Sequence, residues 1–199
     1  MTQQRIAWWA ILLPMTAVVV WSLNIVVTRY VTDFIEPMSI SFYRWLLAWL
    51  LLTPFMLHKT WQQRQLIQQH SLKLAILSAF GMLLYQGLAY SAAHYTTATN
   101  MGLINAFIPI FTIFVGILIL KEFPNRYAVI GSICSFLGLL YVLGQGQFDA
   151  ILNLGQHTGD LLMLLAVFFY AFYGVFLRKW QLALPLMLML YVQVCFALL

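Results

Sequence analysis

The residues able to do chemistry in this chain lie inside its apolar stretches. In 98–120, Gly102, Asn105, Pro109, Thr112 and Gly116 recur at steps of three and four, which places them on one face of a helix. Pro109 has no N–H to give the carbonyl of Asn105, so a backbone acceptor is freed beside an amide side chain. At membrane depth such an acceptor is tolerated only against protein or a wet cavity. Close packing of small residues around a proline kink is the other reading of the same stripe. The remaining residues, among them Ile104, Phe107, Phe114 and Leu118, read as apolar bulk for lipid. The stretch 8–30 repeats the pattern with Ala17, Trp21, Asn24 and Thr28, and 72–93 adds Tyr85, Gln86 and Tyr90.

Trp21, Asn24, Tyr85, Gln86, Tyr90, Asn105, Tyr170 and Tyr173 together describe a neutral, aromatic, hydrogen-bonding cavity suited to a small amphiphilic organic solute. Any one ring among them also fits ordinary core. Arg44 is the exception to neutrality. It falls about 10 Å into its span at 1.5 Å per residue, where a cation costs roughly 2.5–3.5 kcal/mol at mid-membrane and less toward the end. Either it snorkels to the headgroups or bonds freed carbonyls, or it faces the cavity and attracts a carboxylate of the solute. Glu122, at the end of the 98–120 stretch, is a candidate inner gate or a surface ion pair, with Lys121 and Arg126 as nearby cations.

No enzyme chemistry is visible. The four histidines are scattered over separate connections, no Gly-x-Ser-x-Gly or His-Glu-x-x-His occurs, and neither a phosphate-binding glycine loop nor a metal-ligand cluster is present. Catalytic residues, cofactor and metal are therefore all assigned as none. The two cysteines, Cys134 and Cys195, read as free core residues, a disulfide between them being the other reading.

The elements that must hold these side chains are membrane spans. The chain is 63% hydrophobic and 8% charged, with a mean hydropathy of +0.90, against roughly 25% charged in soluble domains. A span needs about 20 apolar residues, and seven candidates appear: 8–30, 37–57, 72–93, 98–120, 127–143, 160–177 and 184–199. The fold class is an all-α polytopic membrane protein. No carboxylate is expected inside a span, Asp160 serving as the cap of the sixth. The Gln-rich connection 59–71 reads as a short interfacial helix or a solvated linker.

Eight of the ten basic residues fall on one side of alternating spans, leaving only Arg29 opposite and Arg44 within span two. This bias orients the N-terminus to the cytoplasm and explains the net charge of +5 without nucleic acid, for which no basic stripe exists. The partners expected are a small-molecule solute and the lipid bilayer.

The segment Leu12–Arg29 returns 149 positions later as Leu161–Arg178, with six of eighteen positions identical. Under the same offset Ala17, Trp21, Asn24 and Thr28 become Ala166, Tyr170, Tyr173 and Leu177. Five spans from the first copy up to the second make the second cross in the opposite sense. Inverted-topology repeats of this kind build secondary transporters.

The stretches WSLNIVVTR (21–29), PMSISFYRWLLAWLLLTP (37–54), TTATNMGLINAFIPIFTIFVGILILKE (96–122) and GDLLMLLAVFFYAFYGVFLRK (159–179) resemble the EamA-type drug/metabolite transporter superfamily. Asn100, Asn105, Pro109 and Glu122 fall where the family pattern has them, and Arg44 matches the arginine that opens its second helix. Lys121 departs from the pattern, a glycine being common there. The resemblance implies ten helices in two inverted five-helix repeats, both termini cytoplasmic, a bacterial inner membrane, and export of metabolites such as amino acids. Residues 1–143 then form a complete first repeat, 144–158 an outer linker, and 159–199 the incomplete start of the second. The last span covers about 24 Å of a core about 30 Å thick, so the chain reads as truncated after its seventh helix. The functional expectation is a secondary transporter exporting a small organic metabolite by alternating access. The alternative is a transport-incompetent half or membrane scaffold needing a partner, either a separate C-terminal half or a second copy.

Overall fold

A computed structural model describes residues 8–143 and 158–199. Among them the only regular structure is helical. The helices are α1 (Trp8–Val31), α2 (Pro37–Gln62), α3 (Arg64–Gln69), α4 (Ser71–Tyr95), α5 (Ala98–Leu120), α6 (Arg126–Leu143), α7 (Thr158–Trp180) and α8 (Leu186–Ala197). Five of these (α1, α2, α4, α5 and α7) have the length and apolarity to cross a bilayer, while α6 and α8 carry shorter apolar segments. The chain is an all-α polytopic membrane protein. The linker expected over 144–158 lies outside the described residues except for its last position, Thr158, which begins α7. The Gln-rich connection forms a helix, α3, where a solvated linker was the other expectation.

Helix α7 is the organising element, packed along α4 and α5. Ala89, Ala92 and Ala93 of α4 meet Met163, Ala166 and Val167 of α7, with Met101, Ile104 and Phe107 of α5 completing the cluster. Small side chains let these backbones approach closely, which is how helices associate where lipid is as apolar as the core. Nearer the other end, Val115 of α5 is enclosed with Ala171 and Val175 of α7. Helix α8 packs instead on α2 and the start of α4, through Leu74, Met56, Leu188 and Val192. The Tyr191 hydroxyl lies 3.1 Å from that of Thr53. Helix α6 touches α5 by an edge-to-face contact between Phe136 and Phe107, with centroids 5.5 Å apart.

Two local distortions bear on the cavity. Ala79–Leu84 of α4 is a π-helical segment, and it immediately precedes Tyr85 and Gln86. An i→i+5 turn re-aims every residue that follows it, and such bulges occur frequently at functional sites. Helix α5 is interrupted after Asn105, where the amides of Ala106 and Phe107 bond three residues back, to Leu103 and Ile104. It resumes at Ile108 with Pro109 in its first turn, where the missing N–H is harmless.

This break corrects the expected orientation of α5. Ile104 and Phe107, expected to face lipid, are buried against α4 and α7. Gly102 and Gly116 of the small-residue stripe have open space around them instead. The reason is the wall that α7 presents: Phe168 sits edge-to-face with Phe111 at 5.5 Å, and bulky partners on α5 fill it better than glycine. Phe114 and Leu118 are exposed as expected.

Candidate functional site

Helices α1, α2, α4, α5 and α7 enclose a cavity of about 510 Å³, within the range of small-molecule sites. Of the ten expected solute-binding residues, Trp21, Asn24, Arg44, Tyr85, Gln86, Tyr90 and Asn105 line it. They reach it from four helices.

Arg44 faces this cavity rather than the headgroups. Its Nη1 donates to Asn24 Oδ1 and to Gln86 Oε1, each at 3.4 Å, and to the Tyr90 hydroxyl. All three acceptors are neutral. Among the described residues no carboxylate comes within 4.0 Å of it, so the guanidinium is solvated by the protein but its charge is not compensated. Its Cζ also lies 5.3 Å from the centroid of the Trp45 ring.

Opposite the arginine, the Tyr85 hydroxyl donates to Asn105 Oδ1 at 3.3 Å. The Asn105 Nδ2 is buried and has no hydrogen-bond partner, leaving a donor free at the cavity wall. A buried donor left unmade costs about 1–3 kcal/mol, which a ligand acceptor would relieve.

The remaining expected residues are elsewhere. Tyr170 stands behind the wall, its ring 4.5 Å from Tyr85 and 6.4 Å from Trp21. Pro109 borders a separate groove of about 400 Å³ between α1 and α5, which shares Trp21 and Asn105 with the cavity. Tyr173 packs on Gly81 of the π segment, away from the cavity. Glu122 pairs with Arg178 at 2.7 Å, not with Lys121 or Arg126, and both partners are exposed. Lys121 itself has φ 56°. That left-handed conformation is the one a glycine adopts freely at a helix end, so the departure from the family pattern falls on a strained backbone.

Sequence reasoning missed Thr16, Met101 and Met163 as lining residues, and it placed Ala17 and Thr28 on the polar face of α1 without assigning them to the cavity. It also misplaced Asp160. Helix α7 begins two residues earlier than expected, so Asp160 sits inside its first turn and is buried. The Thr96 hydroxyl donates to Asp160 Oδ1, and Asn100 Nδ2 reaches its two oxygens at 3.4 and 3.5 Å. Gly159 makes this approach feasible, since a Cβ there would come 2.7 Å from the Tyr95 backbone carbon. The sequence signal was present, as Gly159-Asp160 is a helix start, but its partners are some 60 positions away.

The site is thus a polar, singly charged cavity lined by helices of an all-α polytopic membrane protein. The chain belongs to the EamA-like transporter family, whose model matches residues 8–144. It is 24% identical over 151 residues to the uncharacterized transporter YyaM of Bacillus subtilis, covering 76% of this chain and 50% of that protein. It is 26% identical over 168 residues to an uncharacterized transporter of Archaeoglobus fulgidus, covering 83% of this chain and 55% of that protein. A transporter of Methanothermobacter thermautotrophicus is 24% identical over 175 residues, covering 82% and 51%. The chain thus spans about half the length of these relatives. No solved structure matches it.

Proposed function

We propose that this chain forms part of a secondary transporter that exports a small, carboxylate-bearing organic solute of amino-acid size by alternating access. The observation that carries this reading is Arg44, a cation held at the cavity by three neutral acceptors and, among the described residues, no carboxylate. In a low-dielectric site an uncompensated guanidinium favours an anion, and its planar fork suits a carboxylate. The free Asn105 Nδ2 supplies a second donor, and Trp21, Tyr85 and Tyr90 supply apolar faces for the rest of the solute. Residues 1–143 act as the first repeat, 144–158 as the linker and 159–199 as the start of the second. The clustering of lysine and arginine at one end of the helices supports a cytoplasmic N-terminus in a bacterial plasma membrane.

The test is uptake into reconstituted vesicles of N-acetylleucine and of its uncharged amide, for the wild type and for Arg44→Gln. Loss of a charge-assisted hydrogen bond costs about 1.5–3 kcal/mol, or roughly 10- to 150-fold. That loss is expected for the acid alone. Equal loss for acid and amide would overturn the assignment.

The half-length of the chain relative to its relatives favours a second reading, in which it is transport-incompetent until the helices of the second repeat come from a partner chain or a second copy. Co-expression with a second-repeat fragment from a full-length relative separates the two: uptake appears only with the fragment if this reading holds.

A further inference from the structure

The most exacting buried group in the structure is Gln193 of α8. It is fully buried, and neither its Oε1 nor its Nε2 has a hydrogen-bond partner. Among the described residues it is the one side chain with two such atoms. Leaving a buried amide unpaired is costly, whereas a leucine of similar size would fit without that cost. The Tyr173 phenol is near it, yet neither amide atom makes a hydrogen bond. Ser78 Oγ donates to the Gln193 main-chain carbonyl at 2.7 Å, fixing α8 to α4 at the residue before the π segment. Within that segment Gly81 lies against the Tyr173 ring, where a Cβ would come to 2.7 Å. Neither Tyr173 nor Gln193 borders the cavity in this conformation.

Their positions in the repeat explain this. The 149-residue offset that relates the two copies carries Asn24 to Tyr173 and Arg44 to Gln193. The helix geometry agrees. Asn24 and Tyr173 each stand seven residues before the ends of their helices, Val31 and Trp180. Arg44 and Gln193 each stand seven residues after the starts, Pro37 and Leu186. The paired helices cross in opposite senses, so the two sites lie at about the same depth, about 10 Å, measured from opposite faces of the membrane. The Asn24–Arg44 site is open to a cavity and the Tyr173–Gln193 site is shut.

We infer that Tyr173 and Gln193 form a second polar subsite, the inverted counterpart of Asn24–Arg44, which opens and lines the cavity when the protein faces the other side. This rests on the alternating-access reading above, in which one repeat takes up the conformation of the other. The unpaired amide is then a group satisfied in the alternate state. Because tyrosine and glutamine are uncharged, the subsite takes a neutral donor–acceptor group of the solute, such as an amide or hydroxyl, and not its carboxylate.

The test uses single cysteines at Asn24, Tyr173 and Gln193 in a Cys134→Ser, Cys195→Ala background, with Leu118→Cys on the exposed face of α5 as a control. Each is treated in membrane vesicles of both orientations with the charged, impermeant reagent methanethiosulfonate ethyltrimethylammonium, which reacts only where water reaches. N24C is expected to label. Q193C and Y173C are expected to label from the opposite face and faster than L118C. With the alternate state about 0.1–10% populated, their rates fall about 10- to 1000-fold below that of N24C. Labelling of N24C with Q193C and Y173C no faster than L118C would overturn the second subsite while leaving the first cavity standing. Failure of N24C itself to label would remove the cavity reading, and this inference with it.

Discussion

The guanidinium of Arg44 donates to the hydroxyl of Tyr90 across the boundary between α2 and α4, two residues 46 positions apart. The π segment of α4 lies between the start of that helix and Tyr90, so the aim of the phenol depends on a local underwinding of the backbone. Asn24 and Gln86 complete the set from two helices. The cation at the centre of the cavity is therefore positioned by three spans at once.

Removing these acceptors should destabilise the folded protein, because the half-buried charge would be left with fewer partners. The double variant Asn24→Ala, Gln86→Leu is expected to lose about 1–3 kcal/mol. Thermal unfolding in mild detergent reads the loss as a lower midpoint. Adding Arg44→Met to the same background should recover part of it, since no charge then remains at the cavity wall. No recovery would place the defect in packing instead.

Asp160 joins the start of α7 to the start of α5 through Thr96 and Asn100. Thr96→Val and Asp160→Leu are each expected to lower stability by about 1–3 kcal/mol. Combined, they should cost less than the sum by about 0.5–3 kcal/mol, the signature of contacting residues in a double-mutant cycle. Strict additivity would show that the contact contributes nothing.

Gly159→Ala should be at least as damaging as the loss of that carboxylate. Its Cβ would meet main-chain atoms of Tyr95 and Thr96, 2.7 and 2.8 Å away, and backbone cannot move aside as a side-chain end can. A loss of about 1–3 kcal/mol is expected from overpacking. An unchanged unfolding midpoint would mean that α7 does not approach the end of α4 so closely.

Lys121→Gly is expected to raise stability. The residue closes α5 in the left-handed conformation, which costs an L side chain about 1–2 kcal/mol. Glycine gives back some of that gain through its freer unfolded chain, so a rise of about 1 kcal/mol is the measurable outcome. A fall would show that the lysine side chain makes a compensating contact.

The Glu122–Arg178 pair at the opposite end of α5 and α7 is short, at 2.7 Å, but more than half exposed on each side. Exposed pairs contribute about 0.2–1 kcal/mol and weaken with salt. Glu122→Gln should therefore leave the unfolding midpoint nearly unchanged. If it also alters solute transport strongly, the pair works as a gate rather than as a brace.

Much of the architecture was legible without coordinates. Apolar runs of about 20 residues located the five long spans within a few positions, because the bilayer core demands that length. The polar residues at helical spacing on 8–30 and 72–93 located most of the cavity wall, because such residues are expensive in lipid and must turn inward. The aromatic residues of α7 were less legible. Tyr170 and Tyr173 fit the same pattern by offset, yet one stands behind the wall and the other against Gly81.

The chain composition and spacing determined the membrane class, the order of the five long helices and most of the polar set. Only the tertiary structure decided how each helix is rotated. In α5 both faces are apolar enough for lipid, so hydropathy carries no rotational signal, and the aromatic wall of α7 turned Ile104 and Phe107 inward. The π turn of α4, the burial of Asp160 and the three acceptors of Arg44 arise in the same way. Each depends on a partner dozens of positions away or on a backbone distortion, and neither leaves a local pattern in the order of residues.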